Sequence, residues 1–365
     1  MCSVSVVIPC RDEAEFIAEL LEAARAQDQP LSEIIVVDNG STDRSVEIVQ
    51  SFAAQHPSPP IRVLRCERPG AAAALNTGIR AASGEVIVRL DGHSRPRPDY
   101  IRRAIAHLAE PRAGVVGGVW EINPGATTLR ARAIAQAVAS RLGTGGAAYR
   151  HKNAYRAPTD VDTVPFGCYR RALWTELNGY DDELLVVEDG DFNYRARQAG
   201  YRVILDPDIV CVYFPRRRLR TLGRQYLRYG WWKIPMLERH PGAIRIRQLI
   251  PLGFVTLIVA VAIVSIVSAA GRAALLTLLA VYTAVILVSA LYVARRAKDI
   301  RLWPPIAAAF AIIHFAWGLG GLTHLVTFGR WPPWRLPPSV QRVTNARERS
   351  EAAGEPEGRS PSDQP

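Results

Sequence analysis

Three long uncharged runs in the last third of the chain constrain its fold more than any other feature. They extend from Gln248 to Gly271, from Ala273 to Ala294 and from Leu302 to Gly329. Roughly 20 apolar residues in a helix cross a hydrocarbon core, and lipid forces each segment to satisfy its own backbone polar groups. Transmembrane helices are therefore expected at about 248–270, 274–294 and 304–328. The third run carries Pro304, Pro305 and His314, which leaves a re-entrant segment as the alternative. No comparable run precedes Gln248, so the chemistry of the chain is expected in what comes before it.

Charge divides the chain at the same place. Residues 1–215 carry 24 Lys/Arg against 27 Asp/Glu, whereas residues 216–247 carry ten against one. A basic block directly before an apolar run reads as a cytoplasmic membrane flank that is drawn to anionic lipid headgroups. Nucleic-acid binding is the other reading of a high pI. It is set aside because the basic residues abut a span and no nucleic-acid motif accompanies them. The loop after the second span holds Arg295, Arg296, Lys298 and Arg301 against Arg272 alone in the first, which favours a cytoplasmic N-terminal part. Five scattered cysteines with no C-x-x-C pair suggest reduced thiols. The opening Met-Cys-Ser-Val-Ser-Val-Val-Ile-Pro enters a strand-like run at once, so no signal peptide is expected.

The first 120 residues alternate β-branched runs with helical patterns. Strands are expected at Ser3–Ile8, Glu33–Val37, Ile61–Arg65, Glu85–Leu90 and Gly114–Trp120, with helices between them. This is an α/β pattern, a mainly parallel sheet flanked by helices. Further on, a helix near Thr127–Arg141 leads to a flexible Gly143–Gly146 loop, and Arg202–Leu205 and Ile209–Phe214 read as two short strands. The division expected is a catalytic domain over 1–215, a basic amphipathic membrane-interface segment over 216–247, spans over 248–329 and a Pro-rich, disordered tail over 330–365.

Ligands of open α/β sheets bind beyond the carboxyl ends of strands, and four polar motifs fall at such places. Val36–Asp43 (Val-Val-Asp-Asn-Gly-Ser-Thr-Asp) puts Asp38 at a strand end, to bind a base or ribose or simply to open a turn that Ser41 continues. Asp91-Gly92-His93 ends a hydrophobic strand, and together the carboxylate and imidazole suit a divalent ion, Mn²⁺ better than Mg²⁺. Glu188-Asp189-Gly190-Asp191 opens a helix, where carboxylates are stabilised by the helix N-terminus or act as a base toward a hydroxyl. Gln225, Arg228 and Trp232 share one helical face, suited to a diphosphate and a sugar ring or to an interfacial aromatic belt.

In order and spacing the set resembles the family 2 glycosyltransferases of the GT-A fold, and with the spans the membrane-associated branch that makes succinoglycan-type exopolysaccharides. The resemblance covers about residues 1–330. It implies that Pro9, Arg11, Glu13, Asp38 and Ser41 bind the nucleotide, with Asn76 in the Gly70–Gly78 segment and Gly167 in the Phe166–Arg171 segment beside the donor sugar. It implies that Asp91 is the first acid of a D-x-D metal motif, that Asp189 of the Glu188-Asp189 pair is the base, and that Gln225, Arg228 and Tyr229 form a Q-x-x-R-W-like element on the acceptor and diphosphate side. Two departures stand out: His93 replaces the second acid of D-x-D, and Tyr229 replaces the Trp. The implied activity is inverting transfer from a UDP-sugar, UDP-glucose favoured, to a lipid-linked saccharide at the cytoplasmic face of the inner membrane, with membrane lipids and polysaccharide-assembly proteins as partners. Transfer to polyprenyl phosphate itself, or a non-catalytic role in a polysaccharide synthesis complex, are the alternatives.

Overall fold

The computed structural model describes residues 2–151 and 154–327, so the expected disordered tail at 330–365 lies outside the described residues. One sheet organises the part before the membrane helices. Its strands are β1 (Val4–Cys10), β2 (Glu33–Asp38), β3 (Ile61–Arg65), β4 (Val86–Arg89), β5 (Ser94–Pro96), β6 (Ala113–Ile122), β7 (Thr159–Asp160), β8 (Cys168–Arg170) and β9 (Arg202–Tyr213). They are ordered 3-2-1-4-8-6-9-5, with β7 on β9. The first four in this order are parallel, as the alternation of strands and helices predicts. Beyond β4 the sheet is mixed, because β8 runs antiparallel to both β4 and β6.

Helices α1 (Ile17–Arg25), α2 (Ser45–Gln55), α3 (Ala71–Ala81) and α4 (Tyr100–His107) alternate with the early strands. Central strands read as near-continuous apolar runs because both faces are covered. Along β1, Val4, Val6 and Ile8 enter the core under α1 and α4, while Val7 enters the core under α3. Gly78 lets α3 lie directly on β1 and β2, since a Cβ there would stand 2.5 Å from a Val7 methyl. Strand β9 is continuous where two short strands were expected. Its pairing with β6 shifts register between Gly118 and Val119, and a side chain at Gly118 would overlap the Ile209 carbonyl.

The later helices are α5 (Leu129–Ala139), α6 (Arg141–Thr144), α7 (Arg171–Glu176), α8 (Glu188–Gln198), α9 (Leu219–Arg239), α10 (Ile246–Val267), α11 (Ala269–Arg296) and α12 (Trp303–Val326). Three segments, Ile246–Val267, Ala269–Arg296 and Ile300–Val326, are long and apolar enough to cross a membrane. The third is a continuous helix rather than a re-entrant loop, because its prolines sit in the first turn, where the missing N–H costs nothing. It is also the inner span: 44% of its apolar window is buried, against 6% and 11% for the other two.

Helix α9, in the basic segment expected at the membrane interface, packs against α12. Small residues permit backbone contact: a Cβ on Gly230 would overlap the Trp317 carbonyl, and one on Gly320 the Leu227 carbonyl. A third core, with Ile134, Leu222, Ile286, Ile306 and Phe310, ties α5 and α9 to the membrane helices.

Candidate active site

At the carboxyl end of β4 a single guanidinium gathers three carboxylates. Arg89 is 2% exposed. Its Nε donates to Asp91 at 2.9 Å, its Nη2 to Glu188 at 2.7 Å, and its Nη1 to Asp189. A buried arginine without such partners would cost several kcal/mol; here the three acids hold its pKa well above the usual value against the effect of burial. Residues about 100 positions apart are thus fixed around one point.

The two acids that open α8 differ in access. The Glu188 side chain is 9% exposed and that of Asp189 29%, so Asp189 is the more open of the two toward a ligand. Val187, just before them, holds φ at +67°, a strained value for a β-branched residue. Such strain is found where a site over-determines the backbone. Burial pushes the Asp189 carboxyl up to about 8; Arg89 opposes this, while Glu188 and Asp91 reinforce it.

His93 lies two residues beyond Asp91, and its Nδ1 is 2.9 Å from a Glu13 carboxylate oxygen. Among the described residues no group of three or more His, Cys, Asp or Glu side chains is placed to hold a metal. Asp91 keeps a quarter of its side chain exposed while both its oxygens face Arg89, and His93 stands beside it in the same lining.

These groups line one cavity of about 960 Å³, which runs from the strand ends to the membrane helices. Of the residues nominated from sequence, it brings together Pro9, Arg11, Glu13, Asp91, His93, Glu188, Asp189, Gln225, Arg228 and Tyr229. Arg11, Arg216 and Arg228 enter it without an ion pair among the described residues. Burial lowers the Arg228 pKa, and the charges of Arg11 and Arg216 add to this. Such a cluster is suited to a polyanion.

The other nominated residues stand outside the lining. Asp38 accepts the Ser41 N–H at 2.9 Å, and Ser41 Oγ accepts the Asp12 N–H at 3.2 Å, so both shape the turn beside the cavity. Asn76 is a clamp: its amide donates to the Tyr180 carbonyl and accepts from Tyr180 N–H and Trp174 Nε1. Gly167 gives close packing, since a Cβ would stand 2.7 Å from a Val115 methyl. Trp232 packs beside Leu184, Met236 and Leu237.

Sequence reasoning missed Arg89, Asn39, Arg216 and Arg150. Arg89 had a readable signal, a charge closing the otherwise apolar Val86-Ile-Val-Arg-Leu90, since a cation within a two-sided buried strand must meet carboxylates. Asn39 donates to the Arg68 carbonyl at 2.7 Å and accepts the Gly70 N–H at 2.8 Å, fixing the loop that borders the cavity.

Residues 5–174 match the family described as glycosyl transferase family 2. This region is a family 2 glycosyltransferase domain. Over 331 residues the glycosyltransferase is 28% identical to succinoglycan biosynthesis protein ExoA of Rhizobium meliloti (strain 1021), spanning 89% of this chain and 96% of that one. It is 26% identical to a Methanococcus voltae dolichyl N-acetyl-alpha-D-glucosaminyl phosphate 3-beta-D-2,3-diacetamido-2,3-dideoxy-beta-D-glucuronosyltransferase, over 71% of this chain and 81% of that one. Among solved structures it resembles the mannosyltransferase PcManGT of Pyrobaculum calidifontis, in complex with GDP-Man and Mn²⁺. The TM-score is 0.56, with 25% identity over 85% of this chain and 86% of that one. The glycosyltransferase therefore has a GT-A-type sheet followed by helices that can span a membrane.

Proposed function

We propose that the enzyme transfers a sugar, with inversion, from a nucleotide diphosphate donor to a lipid-linked saccharide in exopolysaccharide or cell-envelope glycan synthesis. The carrying observation is that Asp91 and Asp189 share a cavity that continues to residues of α10, α11 and α12. An acceptor held in the bilayer then reaches the base without leaving the membrane, and tethering raises its effective concentration.

The donor nucleotide enters between Pro9, Arg11 and Asn39, at the end shaped by the Asp38–Ser41 turn. The Mn²⁺ that accompanies GDP-Man in the PcManGT complex supports a divalent ion. Asp91 and His93 would hold it, with Mn²⁺ favoured by the imidazole, and its charge would offset that of the diphosphate. Arg228, with Arg11, receives the departing diphosphate. Asp189 takes the proton of the acceptor hydroxyl at its exposed carboxylate oxygen while Arg89 fixes the orientation of that carboxylate. Attack from the face opposite the diphosphate inverts the anomeric centre, so an α-linked donor gives a β-glycoside.

UDP-glucose is the favoured donor because of the likeness to ExoA. Lipid-linked acceptors are supported by the name of the archaeal relative. A cytoplasmic catalytic side is supported by the loop charges, and the inner membrane is the membrane proposed. The test is a nucleotide-sugar panel with membranes containing the enzyme and Mn²⁺, followed by mass analysis of extracted lipid. One donor should be consumed and a lipid should gain one hexose mass. No consumption of any donor, with polyprenyl phosphate and polyprenyl diphosphate sugars both supplied, overturns the reading.

A further inference from the structure

One cation in the cavity has no task in this chemistry. Arg150 ends a short 3-10 turn, Ala148–Arg150, after two glycines with positive φ, Gly145 and Gly146. Its guanidinium lies 4.9 Å from the Trp120 ring centroid and 5.5 Å from that of Tyr149. Among the described residues its Nε and Nη1 are closed to solvent and have no hydrogen-bond partner, and the Trp120 indole N–H in the same lining is equally unpaired. Cation–π contact contributes to holding the charge but leaves these donors unsatisfied, and each buried unmet donor costs about 1–3 kcal/mol. No carboxylate pairs with Arg150 among the described residues, in contrast to Arg89.

The surroundings select the anion. Trp120, at the end of β6, stacks on Tyr213 at 3.9 Å. The Tyr149 and Tyr226 hydroxyls meet the rest of the guanidinium, and on the membrane side the Tyr226 ring stands 6.5 Å from that of Trp317 in α12. From there the cavity wall is mostly apolar, with Ile250 and Phe254 of α10, Ile286 of α11 and Ile313 of α12, interrupted by Gln248, Tyr282 and His314. Unpaired donors at the mouth of an apolar passage between membrane helices fit a phosphate carried on a long hydrocarbon chain.

We infer that Arg150, with the Trp120 indole, is the seat of the lipid acceptor's phosphate, and that the hydrocarbon chain leaves between α10, α11 and α12. This rests on the proposed transfer to a lipid acceptor and assigns the residue that recognises its charged group. The same phosphate chemistry is present in the donor diphosphate, so the experiment measures both.

Full-length enzyme in nanodiscs would be titrated with polyprenyl phosphate, with the uncharged polyprenol, and with UDP. Wild type should bind the phosphate lipid at least roughly 30-fold more tightly than the alcohol, and Arg150→Gln should erase that preference while UDP affinity stays the same. Arg150→Lys should restore part of it, as charge without the planar fork. Ile313→Trp, in the apolar passage, should weaken both lipids alike and gives a second reading if Arg150→Gln folds poorly. Equal binding of phosphate and alcohol by wild type, or an undiminished preference in Arg150→Gln, would overturn the assignment. Loss of UDP binding alone would move Arg150 to the donor. Failure of wild type to bind UDP would sink the transferase reading instead.

Discussion

The two ends of the cavity treat charge in opposite ways. Beneath β4 the buried cation Arg89 is matched by Asp91, Glu188 and Asp189. Toward α9 and the membrane helices Arg150 and Arg228 have no carboxylate among the described residues, and Lys233, also in the lining, donates to the Met236 sulfur at 3.2 Å, burial pushing its pKa down to about 8. The first end is complete as folded, a preorganised network that would hold the proposed base, Asp189, in place. At the second end Arg247 is paired with Asp162, but Arg150 and Arg228 carry positive charge that no carboxylate among the described residues pairs with. The matched and the unmatched cations thus stand at opposite ends of one continuous hollow.

This contrast is most severely tested at Asp189. Asp189→Asn keeps shape and removes the base, so transfer should fall by roughly 10²–10⁴-fold while UDP binding, followed by calorimetry, is unchanged. Residual transfer near wild type would take the base away from this end. Arg89→Gln should destabilise the fold by about 3–5 kcal/mol, because three carboxylates lose a buried partner. Thermal unfolding in detergent measures it, and an unshifted midpoint would mean the network is not preorganised.

The pH profile sharpens the same point. Burial, with Glu188 and Asp91 close by, raises Asp189, so below its pKa the carboxyl is protonated and cannot accept a proton. The kcat/KM, which reports the free enzyme, should fall roughly tenfold per pH unit on an acid limb displaced upward toward about 8. An acid limb near 4 would contradict this. A smaller effect is expected outside the cavity. Asn76→Ala should cost about 1–3 kcal/mol of stability, from the unmet Tyr180 and Trp174 groups, and leave the donor KM unchanged. A raised donor KM at intact stability would return Asn76 to the sugar site.

The sequence made some of this legible and hid the rest for physical reasons. Alternating apolar runs located β1 to β4, because a parallel sheet covered on both faces leaves no doubt about period. The uncharged runs located the spans, because lipid excludes charge. Asp91 and Asp189 were readable because strand ends and helix starts are places where ligands bind. The partner of α9 was not legible, since the glycine contacts Gly230–Trp317 and Gly320–Leu227 are made by backbone atoms that leave no periodic trace. Nor were the separate fates of Asp38 and Asn39. Neighbours in a turn point in different directions, and only the fold shows that Asn39 borders the cavity while the Asp38 carboxylate closes a turn. Arg150 carries no motif at all, and its environment comes from four elements distant in sequence.

A structure of the full-length enzyme in nanodiscs with UDP and Mn²⁺ would decide whether one hollow serves both ends. The diphosphate should lie between Asp91 and Arg228, with the exposed oxygen of Asp189 facing the space that remains open toward α10 and α12. A nucleotide seated outside this cavity, or Asp189 turned away from the diphosphate with Arg89 between them, would refute the shared site.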